Sequence, residues 1–480
     1  MTDDELPDGW ALATLGEIVA DMQTGFACGK HSREDGIPHL RPMNVSEDGL
    51  IVLDDLKLVP AAEVDKDERW LRNGDVLFNN TNSPALVGKT AYYGFQEQRA
   101  YSNHMTRLRV GGAVIPLYLA HFLHRLWRES YFEEVCNNHV SQASIGRTVL
   151  AEVPIALPPL AEQERIVAAV ERLLAAVSAA RARLDRVPAT LKRFRQAVLA
   201  AACAGRLTAD WRGTTVASAH DSDTELPAGW SMSPVSNLAS IQNGRPFPSK
   251  QYCGSGIRLL RPGNLHKSGD VSWTHENTMC LPEHWENECR DFVLGSGELV
   301  MNLTAQSLKD EFLGRVCLKS DSSPALLNQR ICRFIPRAEV DPRPYLYVYF
   351  KSPAFRKYVD TLDTGSLIRH MHSRQVISHE LPLPPLAEQR EIVRRVSALF
   401  ARADAIDAAV TAARGRVDAL AQAVLAKAFR GELVPTEADL ARRDDRPYEP
   451  AADLLARLRT PAAVTVPPKR TRTAKSTPAP

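Results

Sequence analysis

The chain repeats itself, and this repeat constrains its fold more than any other feature. ELPDGW at residues 5–10 recurs 220 residues later as ELPAGW at residues 225–230, and IPHLRPMNV from Ile37 recurs at the same offset as IRLLRPGNL from Ile257. LPPLAEQERIV from Leu157 recurs 226 residues later as LPPLAEQREIV from Leu383. A repeat of this length indicates two halves built on one plan.

After each Pro-Pro pair, apolar or small residues follow in alternating steps of four and three, which is the spacing of a heptad seam. In the first half these positions are Ile166, Val170, Leu173, Val177, Ala180, Leu184, Val187, Leu191, Phe194 and Val198. In the second half, each 226 residues later, they are Ile392, Val396, Leu399, Ala403, Ile406, Val410, Ala413, Val417, Leu420 and Val424. Two matching seams most simply bury each other. We therefore predict two long antiparallel helices that form an intramolecular coiled coil, each roughly 60 Å long if it holds about 40 residues.

Each predicted helix contains a proline or a glycine near its middle and is followed by a glycine. Pro188 lacks an amide donor and Gly415 is flexible, so we expect both to kink or interrupt the helices near their middle. Gly205 and Gly431 follow the last seam residues and are typical helix stops.

The segments outside the helices are mixed in character. DVLFN from Asp75 and ELVMN from Glu298 predict strands, and residues 118–127 and 345–358 predict shorter helices. The predicted fold class is α+β, with two globular domains of mixed α/β structure that are separated by the two long antiparallel helices and related by a pseudo-two-fold. We expect a first domain at 1–156, a central helical spacer at 157–210, a second domain at 225–382, a C-terminal helical spacer at 383–435 and a largely disordered basic tail at 436–480, with a weak helix near 451–458.

Composition limits the class of protein. At 480 residues the chain exceeds the size of one core, and no run of 18 apolar residues could span a bilayer. The acidic start MTDDELPDGW lacks the pattern of a secretion signal, so we expect a soluble, cytoplasmic protein. Residues 1–156 hold 14 Lys and Arg against 22 Asp and Glu, whereas residues 225–382 hold 18 against 16. The first domain's acidity opposes phosphate binding, so any DNA contact there must be a local patch.

The two halves have diverged unevenly. The helices and frame residues stay alike, while GFACGKHSREDG after Thr24 has become GRPFPSKQYCGSG after Asn243, and NNTNSPALVGK has become NLTAQSLKDEFLGR. A tandem duplication resembles a two-fold dimer, which normally binds DNA half-sites a fixed distance apart. If the loops contact bases, two unlike readers on one helical spacer would recognise two unlike sequences separated by a fixed gap.

This order of domain, PPLAEQ helix, domain, PPLAEQ helix resembles the specificity subunits of type I restriction-modification systems over nearly the whole chain. The motifs that carry the resemblance are the ELPxGW openings, PPLAEQ at 158–163 and PPLAEQ at 384–389. The resemblance implies a non-catalytic subunit in which the domains at 1–156 and 225–382 are target-recognition domains that each bind one part of an asymmetric bipartite DNA site. It also implies that the helices dock two modification (methyltransferase) subunits. It also implies that S-adenosylmethionine acts in those partners, and ATP and Mg²⁺ in restriction or motor subunits.

Side chains that reach base edges are mostly Arg, Lys, Asn, Gln, Ser, Thr and His, and such residues gather in the loops. The candidates of the first half are Lys30, Asn80, Asn82, Lys89, His104, Arg107, Ser141 and Gln142. Those of the second half are Arg245, Lys250, Gln306, Lys309, Arg315, Arg330, Ser366, Arg369 and His370. Arg41 with Asn44, and Arg261 with Asn264, occur identically in both halves, which favours scaffold or phosphate contact over base recognition.

Catalytic interpretations are weaker. SPALVGKT at 83–90 matches a phosphate loop except at its first glycine, and Pro84 removes an amide, so a hairpin turn is favoured. Asp55 and Lys57 could form half of a nuclease DxK, a triplet common by chance. His275, Cys280, His284 and Cys289 carry metal-binding side chains at spacings that fit no known finger, and whether they bind metal stays open.

Three other functions remain open from sequence. A free-standing bipartite DNA-binding regulator would bind its site tightly without partners. The chain could also be the recognition module of a single-chain restriction-methylation enzyme, detached from its catalytic part. A specificity subunit, in contrast to a free-standing regulator, should copurify with a methyltransferase. A structural coiled-coil adaptor would show no DNA sequence preference.

Overall fold

A computed structural model of the chain describes residues 6–29, 35–64, 66–138, 142–213, 226–305, 311–337, 340–362 and 369–459. The chain forms two compact units, which are described separately. Unit 1 comprises residues 1–184 and 413–480, and unit 2 comprises residues 185–412. Each unit therefore takes a globular domain from one half of the chain and parts of both long helices.

The first globular domain and the helix that follows it occupy the first half of the chain. Its elements are β1 (Ala11–Thr14), α1 (Leu15–Ile18), β2 (Val19–Thr24), β3 (Ile37–Leu40), β4 (Lys57–Val59), β5 (Trp70–Leu71), β6 (Asp75–Asn79), β7 (Thr81–Asn82), β8 (Thr90–Tyr93), β9 (Arg99–Tyr101), β10 (Met105–Val110), α2 (Pro116–Arg128), α3 (Tyr131–Val135), β11 (Asn137–Asn138), β12 (Ala143–Ser144), α4 (Arg147–Ala151), β13 (Pro154–Leu157) and the long helix α5 (Leu160–Cys203). The strands form an antiparallel sheet β2-β10-β6-β8, a mixed sheet β4-β3-β9-β5, a small sheet β11-β12-β7 and the pair β1-β13.

The second half repeats this plan. Its elements are β14 (Ser231–Pro234), β15 (Ala239–Asn243), β16 (Ile257–Leu260), β17 (Cys280–Leu281), α6 (His284–Glu288), β18 (Val293–Leu294), β19 (Glu298–Asn302), β20 (Thr304–Ala305), β21 (Val316–Lys319), β22 (Ala325–Leu327), β23 (Ile331–Pro336), α7 (Arg343–Phe350), α8 (Pro353–Thr361), β24 (Arg369–His370), α9 (Ser373–Ile377), β25 (Glu380–Leu383), the long helix α10 (Leu386–Ala428), α11 (Glu437–Arg443) and α12 (Ala451–Arg459). In strand order, the sheets β15-β23-β19-β21, β17-β16-β22-β18 and β14-β25 match those of the first domain, and β20-β24 corresponds to the pair β7-β12 of its three-stranded sheet. The predicted strands DVLFN and ELVMN are β6 and β19.

Each domain's core is completed by the long helices. In unit 1, Phe429 just after α10 is 1% exposed and packs edge-on against Tyr118 and Phe122 of α2, with ring centroids 5.2 and 5.1 Å apart. In unit 2, Val198 of α5 and Ile392 of α10 are buried in the core that holds the aromatic residues of α7 and α8. Because burying a side chain of this size is worth about 1.5–3 kcal/mol, the helices and domains stabilise each other.

The long helices pack antiparallel within each unit. In unit 1, Arg181 contacts Asp418 at 2.6 Å and Arg414 contacts the carbonyl of Leu184 at 3.5 Å, so numbers rise along α5 as they fall along α10. In unit 2, Arg195 forms an ion pair with Asp404 at 2.6 Å. The predicted α+β fold with a long antiparallel helix pair is confirmed.

Three residues that the sequence placed in the apolar seam are exposed in the structure. Phe194, Ile406 and Leu420 are 38%, 49% and 54% exposed, whereas Leu199 and Leu425, outside the predicted seam, are buried. A straight α-helix has 3.6 residues per turn, so a strict 3.5-residue repeat drifts by about 20° per heptad and rotates some positions toward solvent. The remaining seam residues are buried or half-buried.

The predicted interruptions of the helices are absent within α5 and α10. α5 runs through Pro188 from Leu160 to Cys203, and α10 runs through Gly415. Both helices end as expected before a glycine in the left-handed region, with φ of 70° at Gly205 and 74° at Gly431.

The predicted helix near 451–458 is present as α12, but the prediction of a largely disordered tail is wrong for residues 436–459. α11 and α12 are both folded, and Ala451, Leu454 and Leu455 are buried in the core of unit 1. The spacing of these three residues puts them on one helix face, which has enough apolar area to dock. Residues 460–480 lie outside the described residues.

Candidate nucleic-acid interface

Three short segments meet at one edge of the first domain. The amide of Asn80 donates to the carbonyl of His104 at 3.1 Å, and the amide of Ile145 donates to the carbonyl of Asn80 at 2.9 Å. β7 also pairs with β12, with Asn82 opposite Ala143. We call residues 80–82, 103–104 and 142–144 the first rim.

The second domain has the same arrangement. The amide of Leu303 donates to the carbonyl of Arg330 at 3.0 Å, and the amide of Met371 donates to the carbonyl of Leu303 at 2.9 Å. β20 pairs with β24, with Ala305 opposite Arg369. We call residues 303–305, 329–330 and 369–370 the second rim.

The two rims share a backbone frame and differ in side chains. In the first rim, Asn103 and Gln142 are exposed, and Asn82 and His104 are half-exposed. At the positions of His104 and Ser144 the second presents Arg330 and His370, both exposed. Amide side chains pair well with adenine edges and guanidinium groups with guanine edges, so one frame can serve two different base-pair preferences.

A glycine allows each rim to approach its neighbouring sheet. A Cβ on Gly25 would lie 2.3 Å from the carbonyl oxygen of Tyr101, and one on Gly244 would lie 2.1 Å from that of Asn328. The backbone amides of both glycines donate to carbonyl oxygens of the strand that follows the rim turn. Gly25 donates to Met105 at 3.0 Å, and Gly244 donates to Ile331 at 2.9 Å. Any side chain at either position would separate the rim turn from the sheet.

Two sequence candidates are identical buried residues that fix loops. The side-chain amide of Asn44 donates to the carbonyl of Val52 at 3.0 Å, and that of Asn264 donates to the carbonyl of Ser272 at 3.4 Å. The side-chain oxygens accept from the amides of Arg41 and Arg261, each at 2.9 Å. With exposures of 1% and 0%, Asn44 and Asn264 face the protein interior.

Three further candidates are also turned inward. Asn80 donates to the hydroxyl of Thr106 at 2.9 Å, and Lys89 donates to the carbonyl of Val45 at 2.5 Å. Burial lowers the pKa of Lys89. Arg107 is 2% exposed, pairs with Asp21 and donates to the carbonyl of Trp70 at 2.8 Å. The structure gives these side chains intramolecular partners in place of the open loop positions that the sequence suggested.

Other arginine candidates are partly engaged. Arg41 forms an ion pair with Asp55 at 3.1 Å, and Arg261 donates to the carbonyl of Asn277 at 3.2 Å. Arg245 lies over the rings of Phe247, Trp285 and Phe292 and donates to Cys289 at 3.1 Å, and Arg315 donates to the carbonyl of Leu265 at 3.1 Å. Lys250 is exposed in the short 3-10 helix Ser249–Gln251. The candidates Lys30, Ser141, Gln306, Lys309 and Ser366 lie outside the described residues.

Two exposed rim residues, Asn103 and Gln329, were not among the candidates predicted from the sequence. They stand one residue before His104 and Arg330, at the same 226-residue offset, and both are exposed. The offset could have identified them, because a polar pair in an otherwise divergent region marks equivalent turns.

The two conserved motifs contact each other in both units. Nε1 of Trp10 donates to Oε1 of Glu162 at 2.9 Å, and Nε1 of Trp230 donates to Oε2 of Glu388 at 2.9 Å. Glu162 also accepts from the amide of Glu437 at 2.7 Å, while burial raises the pKa of Glu162. ELPxGW and PPLAEQ therefore recur together because each pair joins a domain to the start of its helix.

The structure gives no catalytic or metal-binding geometry to the remaining motifs. Residues 83–88 form a turn before β8. A phosphate loop requires a helix after its lysine, whereas Lys89 is followed by the strand β8. No three His, Cys, Asp or Glu side chains in the described ranges cluster closely enough to hold a metal ion. Nor does any helix in the described ranges have the length and apolarity to cross a membrane.

Comparison with known proteins agrees with the duplicated architecture. The profile of the family described as "Type I restriction modification DNA specificity domain" matches residues 7–188 and again 227–412. The EcoKI specificity subunit of Escherichia coli K12 is 31% identical over 90% of this chain and 91% of its own length. The StySPI specificity subunit of Salmonella potsdam is 29% identical over 89% of this chain and 90% of its own.

Solved structures share the fold. A chain from a structure on complex assembly and conformational transition of the type I R-M system superposes with a TM-score of 0.62, at 20% identity, over 89% of this chain and 99% of that one. The HsdS subunit from Thermoanaerobacter tengcongensis gives a TM-score of 0.55, at 20% identity, over 89% and 98%.

The fold and the paired rims thus define a protein with two DNA specificity domains in one chain. The chain belongs to the specificity subunits of type I restriction-modification systems. The prediction of a specificity subunit with a DNA-recognition role is confirmed at this level.

Proposed function

We propose that the chain binds one DNA duplex at two short, unlike sequences, with the first rim contacting one and the second rim the other. The observation that carries this proposal is that matching backbone hydrogen bonds, 3.1 and 2.9 Å in one domain and 3.0 and 2.9 Å in the other, present different side chains. A shared frame fixes the approach to DNA, and the side chains set the bases preferred.

The proposed base contacts are the exposed or half-exposed rim side chains. They are Asn82, Asn103, His104 and Gln142 in the first rim, and Gln329, Arg330, Arg369 and His370 in the second. Asn44, Asn80, Lys89, Arg107 and Asn264 are buried, and we assign them to holding the loops.

The helices are the proposed docking surfaces for two modification subunits. The PPLAEQ helices stay alike in both halves while the rims differ, which suits one kind of partner bound twice and two kinds of DNA sequence. We expect those partners to bind S-adenosylmethionine and methylate adenine, and separate restriction subunits to use ATP and Mg²⁺.

Sequencing of modified bases in the host genome, with and without this gene, tests the function. The proposal expects one split, adenine-methylated motif to disappear when the gene is deleted and to return on complementation. An unchanged pattern would exclude it. A regulator would instead alter transcription without altering methylation.

A further inference from the structure

A cavity of about 530 Å³ in unit 2 is rich in positive charge. It lies between α5, the turn at residues 266–270 and the junction of α7 with α8. Its cationic lining residues are Lys192, Lys267, Arg315, Lys351, Arg356 and Lys357, against the acids Glu311 and Asp360. The lining thus holds six cations against two acids, and outside it Asp270 and Asp404 lie close enough to Lys351 to interact with its charge.

The cations divide into engaged and available groups. Arg356 donates to the carbonyl of Leu313 at 2.8 Å and pairs with Asp360 at 3.0 Å, and Lys351 donates to the hydroxyl of Tyr347 at 3.0 Å. Lys192 is 66% exposed and forms an ion pair at 3.6 Å with Glu311, which is itself 55% exposed, so this pair is open to solvent. In the part of the chain that the structure describes, Lys267 and Lys357 are exposed and have no ion-pair partner. These three lysines can reach a ligand outside the cavity.

Unit 1 has a cavity at the same place in the repeat with the opposite charge. This cavity, of about 720 Å³, is lined by Glu47 at the position of Lys267 and by Asp418 at the position of Lys192. Gln422 and Gln196 are equivalent and identical, so the match of positions is clear. Arg181 is held between Asp48 at 2.7 Å and Asp418 at 2.6 Å, which leaves no surplus of cations there.

The cavity of unit 2 adjoins the second rim. The amide of Asn302, at the end of β19 and two residues before β20, donates to the carbonyl of Arg315 at 2.9 Å. The lysines project from separate elements into open solvent, an arrangement that suits a polyanion lying across them better than an enclosed small anion.

We propose that Lys192, Lys267 and Lys357 bind phosphates of the DNA backbone next to the second rim, and that unit 1 makes no matching contact at its acidic cavity. This inference rests on the proposed function, because it assumes that the rims face DNA. It supplies sequence-independent affinity from the second half, which offsets the acidity of the first domain. The DNA is thereby held asymmetrically.

The test is the salt dependence of DNA binding by the complete complex with its modification subunits. Wild type, K192A/K267A and the matched unit 1 variant E47A are titrated with a duplex carrying the methylated motif and with a scrambled duplex. Because each phosphate contact contributes about 0.9 to the slope of log K against log salt, the double variant should reduce that slope by roughly 2 on both duplexes. E47A should not reduce it.

The outcomes separate the possible errors. An unchanged slope with sequence-specific binding retained would overturn this inference alone. Loss confined to the motif duplex would show base recognition by these lysines and would also overturn it. Binding of inorganic pyrophosphate by wild type but not by K192A/K267A, with no change in DNA slope, would indicate a small-phosphate site instead. A wild-type complex without sequence preference would defeat the proposed function itself.

Discussion

The guanidinium of Arg414 lies 3.5 Å from the carbonyl oxygen of Leu184, the carbonyl that Pro188 leaves without a helical amide donor. Arg414 also occupies the repeat position of Pro188, 226 residues later. A proline inside a helix removes the hydrogen bond to the carbonyl four residues earlier. The second copy of the sequence therefore supplies a donor at the point where the first copy lost one, and α5 continues.

This relationship predicts a coupling between the two positions. R414A should lower the free energy of unfolding of unit 1 by about 0.5–1.5 kcal/mol in the wild-type background. In a P188A background, the restored amide can serve Leu184, so the same substitution should cost less. A double-mutant cycle in urea measures the difference. Equal costs in both backgrounds would show that Arg414 acts through other contacts.

The tryptophan of each ELPxGW motif should be needed for stability because of its ring nitrogen. W10F keeps most of the apolar ring but removes the donor to buried Glu162, and W230F does the same for Glu388. A buried carboxylate that loses one donor typically costs about 1–3 kcal/mol. We expect each variant to expose protease sites in its own unit at lower denaturant. A loss spread equally over both units in either variant would argue against this local role.

Acid should destabilise unit 1 through His124. Burial, with a smaller contribution from Arg128, lowers the pKa of His124 from 6.5 to about 3. The unfolded chain therefore binds a proton more readily, so this contribution to stability is present above pH 6.5 and is lost as pH falls toward 3. In this window His124 should lower the free energy of unfolding by up to about 1.4 kcal/mol for each unit that the pH falls. The H124Q variant should lack this contribution. Chemical unfolding at several pH values checks it, and an unaltered pH slope in H124Q would assign the acid sensitivity elsewhere.

The C-terminal helix should contribute to the first domain's stability. Leu455 is 4% exposed in the core of unit 1, whereas Asp453 two residues earlier on the same helix is exposed. L455A should cost about 2–5 kcal/mol, and the matched control D453A should stay within about 0.5 kcal/mol of wild type. Thermal unfolding of both variants measures this. If the two substitutions were equally mild, α12 would not be part of this core in solution.

Most of the fold could be predicted from the sequence, because the spacing of the apolar residues and the positions of proline and glycine indicate the same helices and strands. β6 and β19 fall where predicted, and Gly205 and Gly431 end their helices. The exposed positions of Phe194, Ile406 and Leu420 were not predictable, since a small difference between 3.5 and 3.6 residues per turn accumulates along a helix. The docking of α12 depends on contacts with residues more than 300 positions away, which local pattern does not show.

The candidate site was less predictable than the fold. Residue type alone could not separate Arg107, which is turned inward to pair with Asp21, from Arg330, which is exposed. Both are arginines in or beside short strands. Their difference is set by which side chains face them across the sheets, and that information is tertiary.

In the proposed function each domain recognises its own DNA sequence independently, and exchanging one domain separates the two contributions. Residues 225–382 are replaced by the corresponding segment of another specificity subunit, and methylated bases in the host genome are sequenced. We expect one half of the split motif to change while the other half and the gap stay the same. A change in both halves, or in neither, would contradict it.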